Sequence, residues 1–397
     1  MADIGQIHRS EYELGLGRSI PVVISEAPGR IHFLGGQGDP SSGFYLCAAI
    51  DRYIQMAVSP RKDNSFRFFA SDLNERKRST LANIKHRRED RWANYIKTAI
   101  SLFINLDYPV HGLNISFSGN IPQQIGIASS TAIEAAAAVA LRSLLHAQIS
   151  DLELAQKLHD AHVRLFGAAA SVADYQICLT AKKDQFLFID THSGEIIKIK
   201  SPLSQFRILL VDSRVPRMGI ESEIMSRNAD TTKGLEFLTG KFDGVNFKDF
   251  GSKDLLDALG DFPEQIRRRS IHIVEEIRRV QDACGALQRS DIASLSKIIF
   301  HSHESLRDLY EISCPELDWL VKRAQELEGV AGSRMTGHGF GGCTYTIIRR
   351  ELIDEYKRRL EDYERIFGFR PVIYEVKIAS GARLLHEKRE VYADTFN

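Results

Sequence analysis

Pro122-Gln123-Gln124-Ile125-Gly126-Ile127-Ala128-Ser129-Ser130-Thr131 runs directly into an alanine-rich stretch from Ala132 to Ala140. A glycine and three hydroxyl residues ahead of strong helix formers predict a loop followed by a helix. The backbone N–H groups of such a loop converge on the positive end of the helix, which suits an anion, most of all a phosphate. Gly, Ser and Thr also serve as plain helix caps. Read alone, the stretch leaves both readings open.

Outward from it, the composition sets bounds. A chain of 397 residues, 43% hydrophobic and 26% charged, has room for two ordinary globular domains. Lys plus Arg equals Asp plus Glu at 52 each, so no overall field favours nucleic acid or a membrane surface. The runs Arg76-Lys77-Arg78, Lys85-His86-Arg87-Arg88 and Arg267-Arg268-Arg269 have acidic residues nearby and no interleaved aromatic platform, and read as solvated faces. Five scattered cysteines without a CxxC or a Cys/His cluster argue against a disulfide scaffold or a zinc site. With no signal-peptide core and no apolar run of spanning length, the expected compartment is the cytoplasm.

In chain order, Val22 to Val58 reads as strands at both ends around Glu26-Ala27-Pro28-Gly29-Arg30-Ile31-His32-Phe33-Leu34-Gly35-Gly36-Gln37-Gly38-Asp39-Pro40. Four glycines in these fifteen residues require a sharp turn or a close approach by something else. Residues 60 to 90 are polar and assign no element. A helix is expected from Arg91 to Leu106, with Trp92 and Tyr95 at its start suited to a base or to the core, then a strand from Val110 to Phe117. A helix from Asp151 to Phe166 precedes Gly167-Ala168-Ala169-Ala170-Ser171-Val172-Ala173-Asp174, where a carboxylate after small and apolar residues is a candidate desolvated base. Strands over 185–190 and 206–211 are expected to close a first domain, residues 1–212. The second domain, 213–397, opens with an unassigned region from Met218 to Phe262. Packing helices follow, then a glycine-rich stretch from Gly332 to Gly342 expected to approach a ligand, a strand from Thr344, a helix from Leu352 to Phe367 and a strand from Pro371 to Ile378.

Three stretches in this order, Pro28-Gly29-Arg30 with Asp39, Gly126 with Ser129-Ser130, and Gly332 to Gly342, resemble the three motifs of the GHMP small-molecule kinases. Trp92-Ala93-Asn94-Tyr95, Ser130-Thr131-Ala132-Ile133-Glu134, Ser302 to Asp308, Ser313 to Asp318 and Gly332 to Gly337 are similar to runs in galactokinases. The resemblance implies an α+β, two-domain fold with mixed sheets packed by helices and a site in the cleft between the domains. It implies a kinase that uses ATP and magnesium to phosphorylate a sugar, with the anomeric hydroxyl favoured as acceptor. Gly126, Ile127, Ala128, Ser129, Ser130 and Thr131 would wrap the ATP phosphates, and Trp92 and Tyr95 would lie near the adenine. Asp174 would be the base, Arg30 would hold it ionised and offset phosphoryl charge, and Asp39, Gly36, Gln37 and Ser171 would line the sugar site. No Walker A pattern is present, in keeping with another way of holding ATP.

The sequence also departs from the galactokinase pattern. The family run Gly-Glu-His-Thr-Asp-Tyr reads Gly35-Gly36-Gln37-Gly38-Asp39-Pro40, so two groups that reach sugar hydroxyls are replaced. Such a loss is expected to enlarge the pocket and move the preferred substrate away from plain galactose. His162 stands where the family has a glutamate for magnesium, leaving Ser130, His162 or Glu134 to hold the ion, or metal use weakened. His338 either enters the cleft or faces solvent. A true galactokinase and a sugar- and nucleotide-binding sensor with slow turnover are the alternative readings.

Overall fold

The structure, a computed structural model, describes residues 3–14, 20–36, 43–167, 171–216, 220–258, 260, 262–337 and 339–387. Gln37, Asp39 and His338 lie outside the described residues. The strands are β1 (Val23–Gly35), β2 (Phe44–Pro60), β3 (Ser65–Ala70), β4 (Glu75–Thr80), β5 (Leu113–Gly119), β6 (Gln185–Asp190) and β7 (Glu195–Lys200), followed by β8 (Phe206–Asp212), β9 (Val330–Met335), β10 (Cys343–Arg349), β11 (Val372–Val376) and β12 (Arg383–Glu387). They form a mixed sheet in the order β12-β1-β2-β5-β3-β4, with β6 and β7 added on β2, and an antiparallel sheet in the order β11-β8-β10-β9. On the side away from β1, the long β2 serves two partners, β6 through Phe44–Cys47 and β5 through Ile54–Pro60.

The helix Ser129–Leu144 is buried almost all round, as a helix with apolar residues on every face must be. Its alanines, Ala135 to Ala138, let it lie close against β1 and β2, and Ser25 Oγ donates to the Ala136 carbonyl across that contact at 2.7 Å. The phosphate-loop candidate is thereby fixed at the end of a rigid element.

Sheet membership divides the chain differently from the expected boundary at 212. Strand β8, expected to close the first domain, lies inside the second sheet, and β12 returns to pair with β1. An apolar strand does not announce its partner, because pairing is made by distant segments. Three local expectations also change. The segment Met218 to Phe262 carries a long helix, Ile220–Lys241. The polar stretch 60–90 contains the hairpin β3–β4. Gly332 lies within β9 rather than in a loop.

The end of β1 is braced from the second sheet. Thr336 Oγ1 accepts the His32 N–H at 3.2 Å and donates to the His32 carbonyl at 3.0 Å. Tyr345 donates its hydroxyl to the Phe33 carbonyl at 2.7 Å, and the Gly35 N–H donates to Glu276 Oε1 at 3.0 Å. Glu276, on the helix Glu264–Gln288, is buried among Ser302, Arg279 and Arg334, which all donate to it.

Candidate active site

Arg30 and Asp174 meet across 144 residues of sequence. Arg30 Nε donates to Asp174 Oδ1 at 2.6 Å and its terminal nitrogen to Oδ2 at 2.7 Å, a two-pronged pair with the arginine side chain 3% and the aspartate 13% exposed. Register slips in β1 between Pro28 and Gly29, and again between His32 and Leu34, flank Arg30 and re-aim this part of the strand. Asp174 lies in the first turn of the helix Val172–Thr180, where the helix dipole favours a carboxylate. Ser171 caps that helix by accepting the Ala173 N–H at 3.2 Å, and its hydroxyl is 2.7 Å from that of Tyr45. Burial alone would raise the Asp174 pKa, but the charges of Arg30 and then His32, with their hydrogen bonds, hold it well below the usual carboxylate range. Arg30 is reciprocally raised: burial works against its charge, and Asp174 overcomes that.

His32, two residues beyond Arg30 on the same strand face, places Nε2 2.8 Å from Asp174 Oδ1. The sequence signal for His32 is its i+2 spacing from Arg30. Tyr45, edge-on to His32 at 5.0 Å, and Glu276 carry no local motif.

The loop before the helix Ser129–Leu144 turns its carbonyls inward. The Gly126 carbonyl accepts from Arg30 at 2.6 Å, the Ile127 carbonyl accepts the Arg30 N–H at 3.1 Å, and the Ile125 carbonyl accepts the Cys343 N–H at 3.4 Å. In a planar peptide the following N–H points the opposite way, so those of Gly126, Ile127 and Ala128 point away from these partners. None of the three has an acceptor among the described residues. Left-handed backbone at Gln124, Gly126 and Ala128 completes a nest of donors ahead of the helix. The third motif supports this loop: a Cβ on Gly337, at φ 77°, would come within 2.8 Å of the Gly126 carbonyl.

Ser129 and Ser130 open onto a cavity of about 500 Å³ that Trp92, Tyr95 and Phe166 also line. Gly126, Ile127, Ala128 and Thr131 do not line it; Ile127 and Thr131 are buried. Tyr95 stacks on Phe166 at 5.2 Å and Trp92 donates its indole N–H to Glu75 at 2.9 Å, so both are packed as cavity wall.

Glu134 and His162, two of the expected magnesium ligands, are engaged with each other. His162 Nδ1 is 2.7 Å from Glu134 Oε1, and Tyr175 donates to Glu134 Oε2 at 2.6 Å. Glu134 is fully buried, and no group of three His, Cys, Asp or Glu side chains suited to a metal occurs among the described residues. The described side chains thus do not fit a resident metal site.

Gly36, at φ 82°, has no room for a side chain: a Cβ would stand 2.6 Å from the Tyr45 ring and 3.3 Å from His32 Nδ1. The pocket enlargement expected at this position is therefore taken up by Tyr45 and His32.

The models of the GHMP kinase N-terminal domain, the GHMP kinase C-terminal domain and the galactokinase galactose-binding signature match residues 94–182, 283–365 and 10–60. A relative from Treponema pallidum is 39% identical over 92% of this chain and 93% of its own. The Thermotoga maritima galactokinase is 32% identical over 90% of this chain and 99% of its own. The chain belongs to the GHMP kinases, among the galactokinases. A Lactococcus lactis galactokinase solved in complex with galactose, 23% identical, superposes with a TM-score of 0.89 over 96% of this chain and 100% of that one, which agrees on the fold. As a class, the protein is an ATP-dependent sugar kinase of galactokinase type. No described helix is long and apolar enough to cross a membrane.

Proposed function

We propose that the protein transfers the γ-phosphate of ATP to the anomeric hydroxyl of a free sugar related to galactose, with altered contacts on the Gly36 side. The observation that carries this reading is the Arg30–Asp174 pair held against the Gly126–Ala128 loop, whose N–H groups have no acceptor among the described residues. Phosphoryl transfer asks mainly for positioning and electrostatic stabilisation, and both parts are present.

In this mechanism the nest and Ser129–Ser130 seat the nucleotide phosphates, and magnesium arrives with ATP as part of the co-substrate. Among the described residues Asp174 Oδ2 receives Arg30 alone and keeps capacity to accept the sugar hydroxyl. A carboxylate held so far below its ordinary pKa orients the hydroxyl first and takes its proton late, when the oxygen has begun to bond phosphorus. Arg30 keeps that carboxylate charged and lies against the phosphate loop, where it offsets phosphoryl charge. Tyr45, Ser171 and His32 shape the sugar side.

Galactose itself is the second reading, favoured by the signature match across residues 10–60 and by the similarity to galactokinases. ADP release measured over galactose, N-acetylgalactosamine, arabinose, glucose, mannose and uronic acids separates the two. Turnover best on galactose selects the second reading. Turnover best on another sugar of the panel selects the first, and binding of ATP without turnover on any of them overturns both in favour of a sensor.

A further inference from the structure

A second cavity, of about 300 Å³, lies on the β3–β4 hairpin, and the kinase reaction gives it no role. Arg67 and Arg78 stand directly opposite each other on the two strands, and Arg87 lines the same cavity. Like charges placed opposite in a sheet repel. The neighbouring cations of the hairpin are partnered: Arg76 with Glu11 at 2.6 Å, Lys77 with the Glu89 carbonyl at 2.7 Å, and Arg91 with Glu75 at 3.1 Å. Arg67 and Arg78 have no ion pair among the described residues, and Arg87 reaches only the Asn83 side chain, at 3.0 Å. The one carboxylate in the cavity wall, Asp90, is buried against Lys97 and already neutralised. Charge on an edge strand discourages unwanted pairing, but Arg76 and Lys77 already provide that.

We propose that this cavity binds a small phosphate ester. Guanidinium forks match phosphate oxygens in pairs, and the hydroxyls of Ser79 and Thr80 add polar lining. The volume sits at the small end of ligand cavities, which suits a phosphorylated sugar better than a nucleotide. The site is back to back with the nucleotide cavity. Along one short segment, Arg87 and Asp90 line the new cavity, while His86, Arg88, Arg91 and Trp92 line the other. An anion drawn to Arg87 therefore acts on the nucleotide wall, and its binding changes the KM for ATP.

The test is calorimetry on the full chain, with the nucleotide cavity filled by a non-hydrolysable ATP analogue and sugar present, titrating inorganic phosphate and then galactose 1-phosphate at low salt. Saturable binding is expected, weakened by at least about tenfold in Arg78→Ala and Arg67→Gln, since one charge-assisted contact is worth that much. Tighter binding of the sugar phosphate identifies the reaction product as the source, and equal affinity identifies free phosphate. In parallel, phosphate raises the melting temperature of the unsubstituted protein but not of Arg78→Ala, whose turnover without added anion is unchanged. The proposal is overturned by absence of saturable heat at millimolar anion, by undiminished binding in both variants, or by an ATP KM that phosphate leaves unmoved.

Discussion

Two buried arginine–carboxylate clusters stand a short way apart in this molecule. Arg30, His32 and Asp174 form one, its carboxylate 13% exposed, and Arg334, Arg279 and Glu276 form the other, its carboxylate 4% exposed. Both carboxylates lie below their ordinary range for the same reason: burial pushes each up, and flanking positive charge more than reverses it. They differ in what remains available. Glu276 Oε1 takes the Gly35 N–H, Ser302 and Arg334, and Oε2 takes Ser302 and Arg279, so its acceptor capacity is used. Asp174 keeps room on Oδ2, beside a donor nest. A depressed pKa therefore does not by itself mark a base; the unspent lone pair is what sets Asp174 apart.

The largest effect that sharpens this contrast is on turnover. Asp174→Asn should lower kcat by about a hundredfold to ten-thousandfold, the usual contribution of a positioned base, while calorimetry shows ATP binding nearly unchanged. Turnover left intact would remove Asp174 from the chemistry.

Next in size is the Glu276 cluster. Glu276→Gln should cost about 3–5 kcal/mol in urea unfolding, because the fully buried Arg334 loses its counter-charge. It should also raise the KM for sugar with that for ATP unmoved, because Glu276 holds Gly35 at the edge of the sugar loop. An equal rise in both constants would mean general loosening and would break the assignment.

Acid provides a third test. His8 and His272 are buried, and desolvation pushes each down from 6.5 to about 3. The unfolded chain takes up their protons as pH falls below 6.5 while the folded chain does not, so stability is lost between those values, at about 1.4 kcal/mol per pH unit for each histidine. The ion pairs of Asp174 and Glu276, whose folded values are depressed, contribute fully above the ordinary carboxylate range and are lost only in stronger acid. Melting temperature against pH should thus begin to fall near pH 6.5, and His272→Gln should flatten the slope. A curve level down to pH 5 would contradict the histidine assignment.

The smallest effect is expected from Tyr45→Phe, which removes one hydrogen bond to the Ser171 cap, worth about 0.5–1.5 kcal/mol. Its sugar KM should rise a few-fold with kcat nearly kept. A collapse of kcat would instead place the Tyr45 hydroxyl in the reaction.

Much of the candidate site is legible in the sequence. Arg30, Asp174 and the loop at Gly126 to Thr131 follow from motif order, since a turn that must bind phosphate needs small residues at set spacings whatever surrounds it. Trp92 and Tyr95, which share a cavity with Ser129 and Ser130, follow from the same resemblance. Periodicity alone located the helix Asp151–Phe166 and strand β6. The sequence could not show that Glu134 and His162 bond to each other and that Tyr175 completes the link, because these residues come together only when three helices pack. The same holds for Tyr45 filling the space beside Gly36, for Glu276 reaching Gly35 across 241 residues, and for β8 joining the second sheet. Local chemistry is written in neighbouring residues, and so the sequence by itself determined the reaction class, the candidate phosphate loop and the candidate base. Which lone pairs are spent, which cavities are filled and which strands share a sheet depend on contacts between distant segments, and only the tertiary structure decided them.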